Sequence, residues 1–315
     1  MKQLFILFFF ACLSLNAQDY SSIDEKVKNY PKYKSAKSLA VKIENDFTNN
    51  GDKIRAAFIW LTHNIRYDLE EYFNPKTKSF RFKYKNETDK QQKLQQIKDQ
   101  VVDEMFRSRK SVCEGYAQSF KKICDLLNIE AVVIKGYARN STGEIGSIPE
   151  ASNHAWNAVK VNNKWKLIDA TWAAGYAINN QWKKHYTEYY YFPKPKELLR
   201  THYPENNSWQ LLQKPITKKT YASQPIIGQG FFSKNLLLVS PNRGVLKPQN
   251  ILFTVKNLTK NHVVGYLFKG QKYGKKAITT INNNIGTFSI NLTGKRNSEL
   301  YIFIDSEIAL EYKIK

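Results

Sequence analysis

A chain of 315 residues, 42% of them apolar, is long enough to build two domains with real cores. Its 49 Lys and Arg against 27 Asp and Glu leave a formal charge of +22, which favours acidic polymers, anionic surfaces or nucleic acid. The lysines are scattered with no compact basic block, and the aromatics form no recognisable nucleic-acid module, so the charge reads as a lysine-rich surface and nucleic acid is not expected as a partner.

The first stretch, "MKQLFILFFFACLSLNAQ", has Lys2 as a short positive start, an apolar run from Leu4 to Leu15, and the small Ala17 before Gln18. The run is too short for a membrane span and fits a secretory signal cut after Ala17. Lipid attachment at Cys12 fits less well, because "LSL" carries the apolar run past it. No later window is long and apolar enough to span a bilayer. The expectation is an exported chain, periplasmic or secreted, with a signal peptide over 1–17, a first domain over 18–220 and a second over 221–315.

Residues 35 to 48 predict a helix with Leu39, Val41, Ile43 and Phe47 as its apolar positions. "TNNG" ends it, and Asp52 is placed to cap "DKIRAAFIWLTHNI", whose inward face is Ile54, Ala57, Phe58, Leu61 and Ile65. Residues 72 to 92 read as an excursion, followed by a short helix around 93 to 106. The next helix opens at Cys113 and carries Tyr116, Phe120, Ile123, Cys124 and Leu127 at helical spacing, with Asn128 suited to its end. "IEAVVIKGYAR" reads as a buried strand and "NSTGEIGSIPEAS" as a loop. "HAWNAVKV" and "KWKLIDATW" read as a hairpin turning at Asn162–Asn163. A helix feeding antiparallel strands is an α+β plan.

The segment "YYYFPKPKELLRTHYPENNSWQLLQKP" reads as a wrap closing the first domain. From Tyr221 onward "NLLLVS", "ILFTVKN", "HVVGYLFKG", "GTFSINL", "ELYIFID" and "IALEYKI" are short strands separated by turn signals. They predict a β-sandwich of immunoglobulin-like size, without the Cys…Trp…Cys signature of true immunoglobulin domains.

Cys113 and Cys124, eleven residues apart on one helix, would have Cα atoms about 16 Å apart, too far for a disulfide. Cys124 falls on the apolar stripe and reads as packing. Cys113 falls at the first turn, where the helix dipole favours a thiolate and free N–H groups can stabilise an oxyanion. The hairpin offers partners. Residues paired across its turn sum to about 325, and His154 and Asp169 sum to 323, so the two are near-opposite neighbours about 5 Å apart. Singly, each has a plainer reading: a packed cysteine, a structural histidine, an aspartate capping "DATW". Together they read as a thiol, an imidazole and an orienting carboxylate. His63, His185, His202 and His262 compete poorly for the imidazole role. No His/Cys/Asp cluster has metal-ligand spacing and no phosphate loop is present, so neither metal nor cofactor is expected.

"VCEGYAQSFKKICDLLNIEAVVIKGYA" and "NHAWNAVKVNNKWKLIDATW" resemble the transglutaminase-like superfamily. "WLTHNIRYD" resembles that family's helix before the core, and "THYPENNSWQLL" the segment after it in bacterial and eukaryotic relatives of kyphoscoliosis peptidase, which carry β-sandwich domains behind the core. The resemblance covers roughly residues 40 to 215. It implies a papain-like core with Cys113 as nucleophile, His154 as general base and acid, and Asp169 orienting His154. No side chain is assigned as oxyanion donor. The implied function is a cysteine-dependent peptidase, amidase or acyl transferase working through a Cys113 acyl-enzyme, with hydrolysis favoured over amine transfer. Its substrate would be protein or peptide, including cell-envelope material. The alternative is a non-catalytic envelope protein-binding module using the same cleft and the β-sandwich.

Overall fold

The computed structural model describes residues 19–75, 82–148 and 150–315. The predicted signal segment, part of the 72–92 excursion and Pro149 of the predicted loop lie outside the described residues.

The chain begins with helices α1 (Ser21–Lys28), α2 (Ala36–Asp46) and α3 (Asn50–Asn64). Ser35 caps α2 by accepting from the Ser38 N–H. Leu39, Ala40 and Ile43 of α2 face the core, whereas Val41 points outward at 53% exposure, against expectation. Asn49, rather than Asp52, caps α3, its Oδ1 accepting from the Asp52 N–H at 2.8 Å. The helix therefore starts earlier than predicted, and Asp52 becomes the acidic residue of its first turn. The predicted inward face of α3 is buried, and Lys53 through Thr62 are buried all round.

Strand β1 (Arg66–Tyr67), helix α4 (Leu69–Phe73), helix α5 (Glu87–Ser108) and strand β2 (Lys110–Ser111) follow. The excursion is thus partly helical, and α5 runs 22 residues, well beyond the predicted 93 to 106. Asn86 caps α5 by accepting from the Asp89 N–H, and Glu87–Gln91 and Asp89–Lys93 hydrogen bonds join successive turns of its start. Only Val102, Met105 and Phe106 of α5 are buried, and its opening from Glu87 to Lys93 has no apolar residue to set a period.

Helix α6 (Cys113–Leu126) packs across an antiparallel sheet. The sheet's strands are β3 (Ala131–Ala138), β4 (His154–Val161), β5 (Lys164–Ile168) and, after α7 (Ala170–Ala174), the hairpin β6 (Gly175–Ile178) and β7 (Gln181–Lys184), and α8 (Pro195–Leu198), strand β8 (His202–Pro204). Their order is β5-β4-β3-β8, with β6 and β7 forming a separate pair. Ala158 pairs with Leu167 and Asn157 with Ile168, the predicted register. The turn is made by Asn162 and Asn163 at φ 47° and 61°, the left-handed pair that twists with its strands. Asn157 ties helix to sheet, its Nδ2 donating to the Ala117 and Val132 carbonyls at 3.0 and 3.1 Å. Between the helices and the sheet lies one core containing Leu39, Trp60, Phe106, Phe120, Cys124 and Trp156.

Beyond α9 (Lys218–Ser223) the chain forms β9 (Ile226–Ile227), α10 (Gln229–Ser233), β10 (Leu237–Ser240), β11 (Val245–Leu246), β12 (Asn250–Lys256), β13 (Val264–Phe268), β14 (Lys275–Lys276), β15 (Thr279–Asn282), β16 (Ile285–Asn291), β17 (Ser298–Ile304) and β18 (Glu307–Ile314). One sheet is β10-β12-β16-β15, and the other is β11-β18-β17-β13-β14 with β9 beside β18. All six predicted strand stretches are present. A second core of Phe253, Phe288, Leu300, Ile302 and Tyr312 fits a β-sandwich of these two sheets. Among the described residues no helix is long and apolar enough to cross a membrane.

Candidate active site

Tyr67 of β1 lies in parallel register with Ser111 of β2, and this short pair delivers the chain into α6 with Cys113 as the first helical residue. Val112 is the N-cap and has no capping side chain, so the first-turn amides stand beside the thiol without a side-chain acceptor. Cys113 is partly exposed, whereas Cys124 is buried, and burial pushes the Cys124 thiol well up. Both are free thiols, as the helical spacing predicts.

His154 is the first residue of β4, opposite Gly136 of β3. Asp169 follows the last residue of β5 and is the N-cap of α7. Its two oxygens divide the work. Oδ1 accepts from the Thr171 and Trp172 N–H groups at 2.8 and 3.0 Å. Oδ2 accepts from His154 Nε2 at 2.6 Å. The plainer reading of Asp169 as a cap and the reading as an imidazole partner are therefore both realised, one on each oxygen. Cys113 lies near enough to His154 to favour the charged form of its ring. With Nε2 committed to Asp169, Nδ1 is the nitrogen left for the thiol.

His202 was expected to compete poorly, yet β8 carries it into this cluster. Its Nε2 donates to the same Asp169 Oδ2 at 3.1 Å. The polar atoms of His154, Asp169 and His202 all lie within 4.8 Å of one another, so a His/Asp group does form, although no ligand spacing in the sequence announced it. Both imidazole Nε2 atoms sit at hydrogen-bond distance from one carboxylate oxygen. A metal would have to break that arrangement to reach them. His63 bonds the Ile59 carbonyl inside α3, His185 packs its ring on Tyr176, and His262 bonds Thr259; none joins the cluster.

Electrostatics separates the two rings. Burial alone would lower the His154 pKa, but the charge and hydrogen bond of Asp169, with Cys113 adding, push it up. Of the two rings, His154 is the one whose charged form the site favours. Burial would raise the pKa of Asp169, but His154 and His202 hold it well below the usual carboxylate range. Burial lowers His202 to about 4, opposed by its Asp169 hydrogen bond and helped by the charge on His154, so this ring is neutral. Aromatic rings wall the cluster: Trp172 stands 5.6 Å from His154 and Trp156 5.8 Å. Burial and then the nearby Cys113 raise the Tyr67 phenol, so its hydroxyl keeps its proton beside the thiol.

The family model of the transglutaminase-like superfamily matches residues 37–170. Human kyphoscoliosis peptidase is 26% identical over 322 residues, covering 96% of this chain and 44% of that protein. The mouse kyphoscoliosis peptidase is 24% identical over 276 residues, covering 84% of this chain and 38% of its own. The chain thus spans less than half the length of either relative. A crystal structure of a TGase overlaps 56% of this chain and 38% of its own at 17% identity and a TM-score of 0.28, too slight a likeness to carry weight. The chain carries a transglutaminase-like domain, and the human and mouse kyphoscoliosis peptidases are its homologues.

Proposed function

We propose that this chain is a thiol enzyme acting on peptide or amide bonds, with Cys113 as nucleophile, His154 as proton carrier and Asp169 holding His154. The observation that carries the reading is His154 itself, bonded to Asp169 through Nε2 and favoured in its charged form by Cys113, the first residue of α6. The Cys113 sulfur attacks the carbonyl carbon, and the oxyanion forms in reach of the uncapped first-turn amides. The His154 imidazolium gives its proton to the departing amine, leaving a thioester on Cys113. Water, deprotonated by His154, then attacks the thioester and releases a carboxylic acid and the thiolate. An amine attacking instead would give a new amide. The peptidase name of the human and mouse relatives supports hydrolysis over transfer.

The first test needs no substrate. Iodoacetamide alkylation of Cys113 and Cys124 is followed from about pH 5 to 9 by peptide mass mapping. Cys113 should react quickly on the acid side and slow down in His154→Ala, with buried Cys124 inert throughout. A Cys113 that behaves as an ordinary thiol, with or without His154, would leave a binding module as the better reading. Incubating the enzyme with peptides and a primary amine then separates the two fates of the thioester by product mass.

A further inference from the structure

We propose that His202 is a positioning residue of this site: a neutral imidazole that donates its Nε2–H to Asp169 and fixes that carboxylate for His154. The inference rests on the thiol-enzyme reading above and adds a fourth residue to it.

Asp169 has four donors and no spare direction. Oδ1 takes the two amides of α7, and Oδ2 takes His154 at 2.6 Å and His202 at 3.1 Å. A carboxylate that accepts several hydrogen bonds stays ionised even where burial disfavours charge. His202 supplies its share without adding charge. A second imidazolium would stand 5.1 Å from the His154 ring in a closed, largely aromatic space.

The tautomer follows from the other ring nitrogen. His202 Nδ1 lies 2.8 Å from Thr201 Oγ1. A neutral ring with its proton on Nε2 must accept at Nδ1, and the Thr201 hydroxyl is the donor within reach, its one proton shared between this 2.8 Å contact and the Leu198 carbonyl at 3.3 Å. The ring has no room to turn. Trp172 stands 4.4 Å away, Trp156 5.3 Å and Tyr190 6.0 Å, from α7, β4 and the turn over 188–190. The titratable groups facing it are Asp169, His154 and the Tyr190 phenol, and burial keeps that phenol protonated. The backbone is held as well: the Thr201 carbonyl accepts from the Arg139 N–H at 3.0 Å and from the Tyr221 hydroxyl at 2.9 Å.

The full chain is alkylated across pH as above, in the parent and in His154→Ala, His202→Phe, His202→Gln and Thr201→Val. In His202→Phe the acid-side midpoint of Cys113 alkylation should rise by about one pH unit, since Asp169 stays ionised but, without its second donor on Oδ2, is no longer held in place to orient His154 toward the thiolate. His202→Gln, whose amide can donate to the carboxylate, should restore most of the parent profile. Thr201→Val should shift it the same way as His202→Phe but less. A purely structural His202 would lower thermal stability and leave the midpoint in place. A folded His202→Phe that overlays the parent overturns the proposal, and so does a Gln variant shifted as far as Phe. Should His202→Phe fail to fold, Thr201→Val decides, and an overlay there overturns it. The two readings fail separately. A His154→Ala profile matching the parent removes the thiol-enzyme reading, whereas a shift in His154→Ala with none in His202→Phe removes only the role of His202.

Discussion

Arg139 and Tyr221 are stacked, with the guanidinium carbon 4.6 Å from the ring centroid. The same guanidinium donates to the carbonyls of Arg200, Ala222, Gln224 and Pro225 at 3.0 to 3.2 Å. Arg139 is buried, and burial brings its pKa down to about 10. It fastens the end of β3 to the stretch of chain that leads into the sandwich.

Replacing Arg139 by Met strips several buried carbonyls of their donor at once. A loss on the order of 3 kcal/mol is expected. Arg139→Lys should recover only part of it, because a compact ammonium cannot span the same carbonyls. Chemical denaturation followed by tryptophan fluorescence measures both. A Met variant with the parent's midpoint would mean that water replaces the guanidinium.

Gly136 stands between His154 of β4 and Pro204 of β8 in the sheet register. A Cβ there would run into the Tyr203 carbonyl and the Trp156 ring. Neither can give way without moving β8 or the indole. Gly136→Ala should therefore cost about 2 kcal/mol and slow Cys113 alkylation while Cys124 stays protected. Unchanged Cys113 kinetics would show that β8 moves without disturbing His202.

The two histidines set opposite slopes of stability with pH. The folded pKa of His202 lies below its free value, about 4 against 6.5, so the unfolded chain binds a proton that the folded one refuses as pH falls through that window. Stability should fall on acidification from about 6.5 toward 4. The folded pKa of His154 lies above 6.5, so its contribution is complete below 6.5 and is lost as pH rises toward the folded value. These two groups together place the optimum near pH 6.5. The depressed pKa of Asp169 matters only below its free value of 3.8. Urea midpoints at about pH 5, 6.5 and 9 test the shape, with His202→Phe expected to flatten the acid arm. An acid arm equally steep in that variant would assign it to other groups.

Asp169→Asn should separate folding from chemistry. The amide oxygen can still cap α7 through Thr171 and Trp172, so the loss of stability is expected to be modest. The amide nitrogen would then face two N–H donors, and His154 would lose its tautomer. A drop in activity on the order of a thousandfold or more is expected. Near-parent peptide turnover in a folded variant would contradict the role given to Asp169.

The sequence made the helix of Cys113 and the hairpin of His154 and Asp169 legible for local reasons. Helical spacing marked Tyr116, Phe120 and Cys124, and the Asn162–Asn163 turn set a register that could be counted. The same Asn–Asn signal at 179–180 marks the β6–β7 hairpin, where both residues again have positive φ. The opening of α5, Glu87 to Lys93, was not legible because it contains no apolar residue. His202 was hidden for a different reason. Strand β8 is three residues long and is positioned by backbone pairing with β3, which leaves no side-chain alternation to read.

The pairing of β8 also has a consequence for how the protein refolds. Ala138 and His202 meet across 202 − 138 = 64 residues of chain, whereas β4 and β5 are joined by a two-residue turn. Loop closure over the longer span is slower, so the hairpin should be in place before β8 arrives. After dilution from denaturant, hydrogen-exchange protection of the β4–β5 amides should precede the recovery of rapid Cys113 alkylation. The thiol would come under the control of its full set of partners only in the last phase of folding.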